Sequence, residues 1–258
     1  MNNNPWIIIP KPDPTAKLRL FCIPNEGSSA EIFRAWTEHL LPSGINPLPP
    51  GIEVCSIQPP GRGRRIRETP FTKMQPLVES LSQALRPLLD KPFALFGHGM
   101  GALIGFELAR HHRREQLPLP LQLFVSGQTP PQTPKGNSPI YNLPDDEFKA
   151  RLLIEGRVPK EVLEHEELIQ LVLPMLRADF ELLETYSYKP ESPLACPVKA
   201  FGSERDVREQ LEEWREQTST AFALVTLPGV QHTLQDGVRP LLERFRDDLI
   251  SLMHSDSI

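Results

Sequence analysis

Three short segments of the sequence carry residue types suited to acid–base chemistry, and each follows an apolar run of strand length. They are the glycine-rich turn at residues 97–101 (GHGMG), Asp206 and His232. A carboxylate can orient a histidine, and an oriented histidine can accept or donate a proton in a reaction. The order of turn, acid and histidine therefore indicates one site assembled where several strands end.

The turn at residues 97–101 lies between a predicted strand and a predicted helix. Flanking glycines permit a strained turn and close packing, which is the context of a nucleophile elbow. The middle residue of an elbow normally projects an oxygen above the sheet, but here it is Gly99, which cannot attack a carbonyl. Met100 follows it and is expected to line the pocket. Phosphate-binding loops also join a strand to a helix, but the further glycines or Gly-Lys-Ser/Thr ending that they need are absent.

Strand-length apolar runs alternate with helical patterns, which predicts a mostly parallel central sheet covered by helices on both faces. The predicted strands are 18–23, 53–58, 93–96, 121–126, 198–201 and 223–227, and the predicted helices are 30–41, 76–89 and 100–112. Residues 128–193 contain no strand pattern, and helical patterns cover 145–155, 160–165 and 167–186. We interpret this segment as a helical lid inserted in a single domain, residues 1–258, with ordinary crossover helices as the alternative.

Composition limits the classes of function. Hydrophobic residues make up 39% and charged residues 24% of 258 residues, as in soluble globular proteins. The net charge of −5 argues against a nucleic-acid binder. Three widely separated cysteines and an N-terminus without a signal or anchor pattern predict reduced thiols, a cytoplasmic location and no membrane association. No residue spacing suggests a metal site, and no cofactor is expected.

Six segments, in order along the chain, are the most distinctive part of the sequence. They are LFCIP (20–24), FRAW (33–36), QPPGRGR (58–64), FGHGMGA (96–102), RADF (177–180) and WREQT (214–218). Together they resemble the type II thioesterases of polyketide and nonribosomal peptide biosynthesis, and the resemblance covers nearly the whole chain. It implies an α/β-hydrolase fold, a natural-product pathway and, as partner of a monomeric enzyme, an acyl or peptidyl carrier protein with a phosphopantetheine-linked substrate.

In that family a serine attacks the thioester, a histidine is its base and an aspartate orients the histidine. Carried over by position, His232 matches the base and Asp206 the aspartate, whereas Gly99 takes the place of the serine. The family usually has Tyr-Ala-Gly-Gly where this chain has Asn25 and Glu26 in the sequence NEGS, and a backbone amide from this loop helps to form the oxyanion hole. A glutamate side chain pointing inward there would oppose a developing oxyanion.

Gln231 is a third departure, because the family prefers Gly-Gly-His-Phe-Phe around the histidine. Three departures clustered at one predicted site favour a remodelled site over scattered decay. Three hypotheses for the chemistry follow. They are hydrolysis by water that His232 activates directly, a non-hydrolytic cyclisation, elimination or isomerisation catalysed by His232 and Asp206 with or without Glu26, and non-catalytic binding of a carrier domain or acyl chain.

Each assignment has a plainer alternative. His232 is otherwise a surface loop histidine, Asp206 a solvated carboxylate near Glu204, and Glu26 an exposed loop residue. Among the remaining histidines, we predict that His98 packs in the elbow without a catalytic role. We expect solvated side chains in charged helical surroundings at His111, His112 and His165.

Overall fold

The computed structural model describes residues 4–38, 48–134, 138–154, 158, 160–203, 206, 208–228 and 234–254. The described strands are β1 (Ile7–Ile8), β2 (Leu18–Ile23), β3 (Ile52–Ile57), β4 (Phe93–His98), β5 (Leu123–Ser126), β6 (Val198–Ser203) and β7 (Phe222–Leu227). They form a seven-stranded sheet in the order β1-β3-β2-β4-β5-β6-β7, in which β1 is antiparallel to β3 and all other neighbours are parallel. The mostly parallel α/β sheet predicted from the sequence is confirmed.

Helices cover both faces of this sheet. The α-helices are α1 (Ala35–Glu38), α2 (Met74–Leu85), α3 (Met100–Arg114), α4 (Asp145–Ile154), α5 (Lys160–Glu164), α6 (Glu166–Thr185), α7 (Arg208–Glu212) and α8 (Leu234–His254). Buried side chains of α2 and α3 pack in one core cluster, and buried side chains of α8 pack in a second with Phe33 and Trp36. A parallel sheet needs this double cover because both of its faces are apolar.

Three helices, α4 to α6, lie between β5 and β6 in the chain. They form a hydrophobic cluster of their own, which includes Phe148, Leu152, Met175 and Phe180. Their positions agree with the three predicted helical patterns to within a few residues. That this segment works as a lid stays a prediction.

Several elements differ from the sequence-based expectation. The predicted helix at 76–89 is interrupted, since a 3-10 helix at Arg86–Leu88 follows α2 and contains Pro87, which does not fit a continuing α-helix. The predicted helix at 30–41 is a 3-10 helix at Ala30–Phe33 followed by α1, and its last three residues lie outside the described ranges. The two-residue β1 and the long α8 were not predicted.

All three cysteines, Cys22, Cys55 and Cys196, are buried and unpaired with one another. Burial raises the pKa of the Cys196 thiol to about 12, and the pKa values of Cys22 and Cys55 are raised further by the same cause. That these thiols are reduced in the cell stays a prediction.

Candidate functional site

The turn after β4 has the backbone of an elbow. Gly99 adopts φ +52° and ψ −123°, and α3 begins at the next residue. A Cβ on Gly97 would lie 2.1 Å from the carbonyl oxygen of Gly101, and a Cβ on Gly101 would lie 2.2 Å from the carbonyl oxygen of Ile23. Real Cβ atoms do not approach backbone this closely, so both flanking glycines are required for the helix to pack against β2 and β4.

A carboxylate occupies the space over this turn. Glu26 lies just after β2, is only 5% exposed, and its Oε2 accepts a hydrogen bond from the backbone N–H of Met100 at 3.1 Å. The same oxygen is 2.7 Å from the position that a Cβ on Gly99 would take. The interpretation of Glu26 as an exposed loop residue is therefore wrong, because its side chain points inward onto the elbow.

Asn25 and Met100 complete the described part of this site. The Cβ of Asn25 is 3.1 Å from the Cβ position of residue 99, and its side-chain amide donates to the carbonyl oxygen of Glu26 at 3.1 Å. The Met100 side chain is fully buried. Four predicted site residues, Asn25, Glu26, Gly99 and Met100, are thus brought together at the carboxyl ends of β2 and β4.

A buried ion pair holds the loop that carries Glu26. Asp179 on α6 is 1% exposed and accepts two hydrogen bonds from Arg62, at 2.6 Å and 2.9 Å. It also accepts the backbone N–H of Gly27 at 2.9 Å, and Arg62 donates to the carbonyl oxygen of Ser28 at 3.2 Å. Sequence reasoning assigned neither side chain to the site, although both lie in segments that carry the resemblance.

Asp206 follows β6 and is half-buried. Its Oδ2 accepts a hydrogen bond from the backbone N–H of Ser203 at 2.6 Å, which fixes the carboxylate at the end of the strand. His232 and Gln231 lie outside the described residues, between the end of β7 and the start of α8 in the chain. The pairing of His232 with Asp206 therefore stays a prediction.

The burial of four other histidines agrees only in part with the prediction. His98 is buried, and its Nδ1 lies 3.1 Å from the hydroxyl oxygen of Ser126. His112 is fully buried, with Nδ1 2.8 Å from the carbonyl oxygen of Pro118, and burial lowers its pKa. The prediction that His112 is solvated is wrong. The last turns of α3 pack on the sheet at this residue, and the His112 ring contacts Phe93 of β4. His165 is exposed as predicted, and His111 is half-buried.

The described ranges offer no site of two other classes. No group of three or more histidine, cysteine, aspartate or glutamate residues within them could hold a metal ion. None of the described helices is both long and apolar enough to span a bilayer.

Comparisons with known proteins agree with the fold. The family model for the thioesterase domain matches residues 18–249. Gramicidin S biosynthesis protein GrsT of Aneurinibacillus migulanus is 41% identical over 93% of this chain and 92% of its own length.

Two solved structures are similar over most of both chains. RedJ, a thioesterase from the prodiginine pathway of Streptomyces coelicolor, has a TM-score of 0.81 at 35% identity and covers 92% of this chain and 88% of its own. BorB, the type II thioesterase from the borrelidin cluster, has a TM-score of 0.80 at 30% identity and covers 98% of this chain and 100% of its own. This chain therefore belongs to the thioesterase family of α/β-hydrolases, and its similarity is to the type II thioesterases of nonribosomal peptide and polyketide biosynthesis.

Proposed function

We propose that this protein acts on an acyl intermediate linked to a carrier protein or to pantetheine, by acid–base chemistry that uses no serine nucleophile. The reaction is a non-hydrolytic cyclisation, elimination or isomerisation in a nonribosomal peptide or polyketide pathway. Family membership supports the substrate class, since its relatives include proteins named for gramicidin S and borrelidin biosynthesis. Gly99 at the elbow supports the absence of an acyl-enzyme.

The observation that carries this proposal is the position of the Glu26 carboxylate at the Met100 amide. In elbow hydrolases the N–H of the residue after the nucleophile donates to the oxyanion of the tetrahedral intermediate. A second negative charge about 4 Å from a carboxylate meets a repulsion of about 4 kcal/mol in partly screened surroundings. The site is therefore poorly suited to stabilise an oxyanion, whereas proton transfer requires neither a serine nor a vacant amide.

The remaining predicted residues have roles in the same scheme. His232 transfers a proton, and Asp206 orients the His232 ring. Asn25 and Gln231 line the pocket. Residues 128–193 cover the acyl chain as a lid, and the carrier protein presents the substrate between this lid and the strand ends. The chemistry involves no metal and no cofactor.

Hydrolysis by water activated at His232 is a second candidate, and membership of the thioesterase family is what favours it. In that case the thioester carbonyl is attacked directly by water, and free acid leaves the carrier. No covalent acyl group forms at residue 99 in either scheme.

Mass spectrometry of acyl-carrier proteins and acyl-pantetheines incubated with the enzyme tests the proposal. We expect an isomeric, cyclised or dehydrated product that is lost in His232→Ala by about a hundred- to ten-thousand-fold, with carrier affinity retained. Asp206→Asn should be affected similarly or less, because it disturbs orientation and leaves the base in place.

His254→Ala, a change at an exposed histidine in the last turn of α8, is the matched control and should behave as the parent. Release of free acid at the rate of an active thioesterase would favour hydrolysis. Carrier binding without turnover of any substrate would establish the non-catalytic alternative.

A further inference from the structure

The Glu26 carboxylate is placed like a reactive group. It is almost completely buried, and its Oε2 is held at 3.1 Å by the first N–H of α3, a helix of 15 residues. The positive end of a helix dipole favours negative charge at this point. Because Gly99 has no side chain, the same oxygen faces the volume where an elbow nucleophile would project.

The loop that carries Glu26 is fixed by contacts of the two residues that follow it. On its C-terminal side Asp179 accepts the Gly27 N–H, and Arg62 donates to the Ser28 carbonyl oxygen. Gly27 has φ +73°, and a Cβ on it would lie 2.7 Å from the side chain of Leu176 on α6. Reactive groups need such support, since proton transfer depends on placement to within fractions of an ångström.

Glu26 and a side chain at residue 99 compete for one volume. A Cβ on Gly99 would be 2.7 Å from Oε2, which forces the carboxylate to move. The bare elbow and the buried carboxylate therefore depend on each other, and the loss of one reactive group is matched by the gain of another.

We propose that Glu26 is the proton-accepting catalytic residue of this site, an assignment that rests on the proposed function. The carboxylate removes a proton from the carbon next to the thioester carbonyl, and the C–H electron pair stays on the substrate as an enolate. Glu26 is then a neutral carboxylic acid, so the enolate oxygen does not meet the repulsion that a tetrahedral oxyanion would meet beside the carboxylate. His232 delivers a proton to another carbon, or to a departing hydroxide that leaves as water, as in the proposed function, and the proton held by Glu26 then replaces the one that His232 gave up. The step is balanced without an oxidant, a reductant or a second substrate.

Exchange of the α-protons of butyryl-pantetheine in D2O, followed by proton NMR, measures this step directly. The parent should accelerate exchange, and Glu26→Gln should slow it by about a hundredfold or more, as expected for loss of a positioned base. Glu31→Gln is the matched control, because Glu31 is an exposed glutamate in the neighbouring 3-10 helix, and it should exchange at the parental rate.

Two further variants keep the test decisive if Glu26→Gln folds poorly. Glu26→Asp retains the carboxylate but withdraws it from the elbow, so exchange should be partly lost. Formate should restore exchange in Glu26→Ala, since a small carboxylate fits the space left at the Met100 amide.

Parental exchange in Glu26→Gln, together with its loss in His232→Ala, would overturn the assignment of Glu26 and leave the proposed function standing. Absence of exchange in the parent would also overturn the assignment. The mass-spectrometric product analysis would then decide on the proposed function separately.

Discussion

The turns that follow the neighbouring strands β2 and β4 differ in the reactive groups that they present. The turn after β4 keeps the elbow backbone, with Gly97 and Gly101 in close contact with backbone atoms, but Gly99 offers no reactive atom. The turn after β2 instead carries Glu26, whose carboxylate reaches across to the amide of the elbow. Under the proposed assignment of Glu26, the elbow scaffold is intact while the reactive group lies at the adjacent strand end.

The two arrangements suit different chemistry. A serine hydroxyl needs an external base before it attacks, and the oxyanion that forms needs a free amide donor. A buried carboxylate is itself a base, and here it uses that amide for its own placement. Variants that separate these functions sharpen the comparison.

The largest expected effect is on the support of the turn after β2. Asp179→Ala leaves Arg62 buried without its partner, so the free energy of unfolding should fall by about 3–5 kcal/mol. For a chain of this size that corresponds to a melting temperature about 6–20 °C lower. Thermal denaturation followed by circular dichroism measures the change.

Asp145→Ala is the matched control, because Asp145 pairs with Arg177 at the surface and is 65% exposed in its side chain. Its loss should cost less than about 1 kcal/mol. Equal stability of the two variants would show that the Arg62–Asp179 pair does not hold the loop.

A smaller effect, on thioester hydrolysis, is expected when a serine is placed at residue 99 of the elbow. Gly99→Ser should create only a weak hydrolase of simple acyl thioesters, because Glu26 still occupies the Met100 amide. The double variant Gly99→Ser/Glu26→Ala frees that amide and should hydrolyse about a hundredfold faster, which is the usual contribution of one oxyanion donor. A fully active enzyme from Gly99→Ser alone would show that Glu26 does not obstruct the oxyanion hole.

The smallest effect is predicted for the stability of Glu26→Gln. The amide oxygen of glutamine can still accept the Met100 N–H, and a buried negative charge is removed. The free energy of unfolding in urea should therefore change by no more than about 1 kcal/mol, and a change of either sign within that limit agrees with the prediction. Destabilisation as large as that of Asp179→Ala would make Glu26 a structural residue.

Much of the framework could be predicted from the sequence. The six longer strands follow from apolar runs, and the elbow follows from glycines whose spacing only a close helix–strand contact explains. The two-residue β1 could not be found, since its pairing with β3 depends on distant backbone partners.

The direction of Glu26 was harder to predict. A loop glutamate is exposed by default, whereas the loop of this one is tied through the Gly27 N–H to Asp179 on α6, more than 150 residues away in the chain. His112 was misjudged for a related reason, because charged neighbours on a helix do not show which face packs on the sheet. Long-range packing decides both cases, and local composition does not record it.

The burial of the three cysteines has a practical consequence for chemical labelling. Thiols with pKa values of about 12 or above, enclosed in the core, supply almost no thiolate at neutral pH and react slowly with electrophiles. The three native cysteines of the folded chain should therefore react little with maleimides and disulfide reagents. A Gly99→Cys variant would carry its one reactive sulfur at the elbow, where a pantetheine analogue could be attached to capture the carrier-bound state.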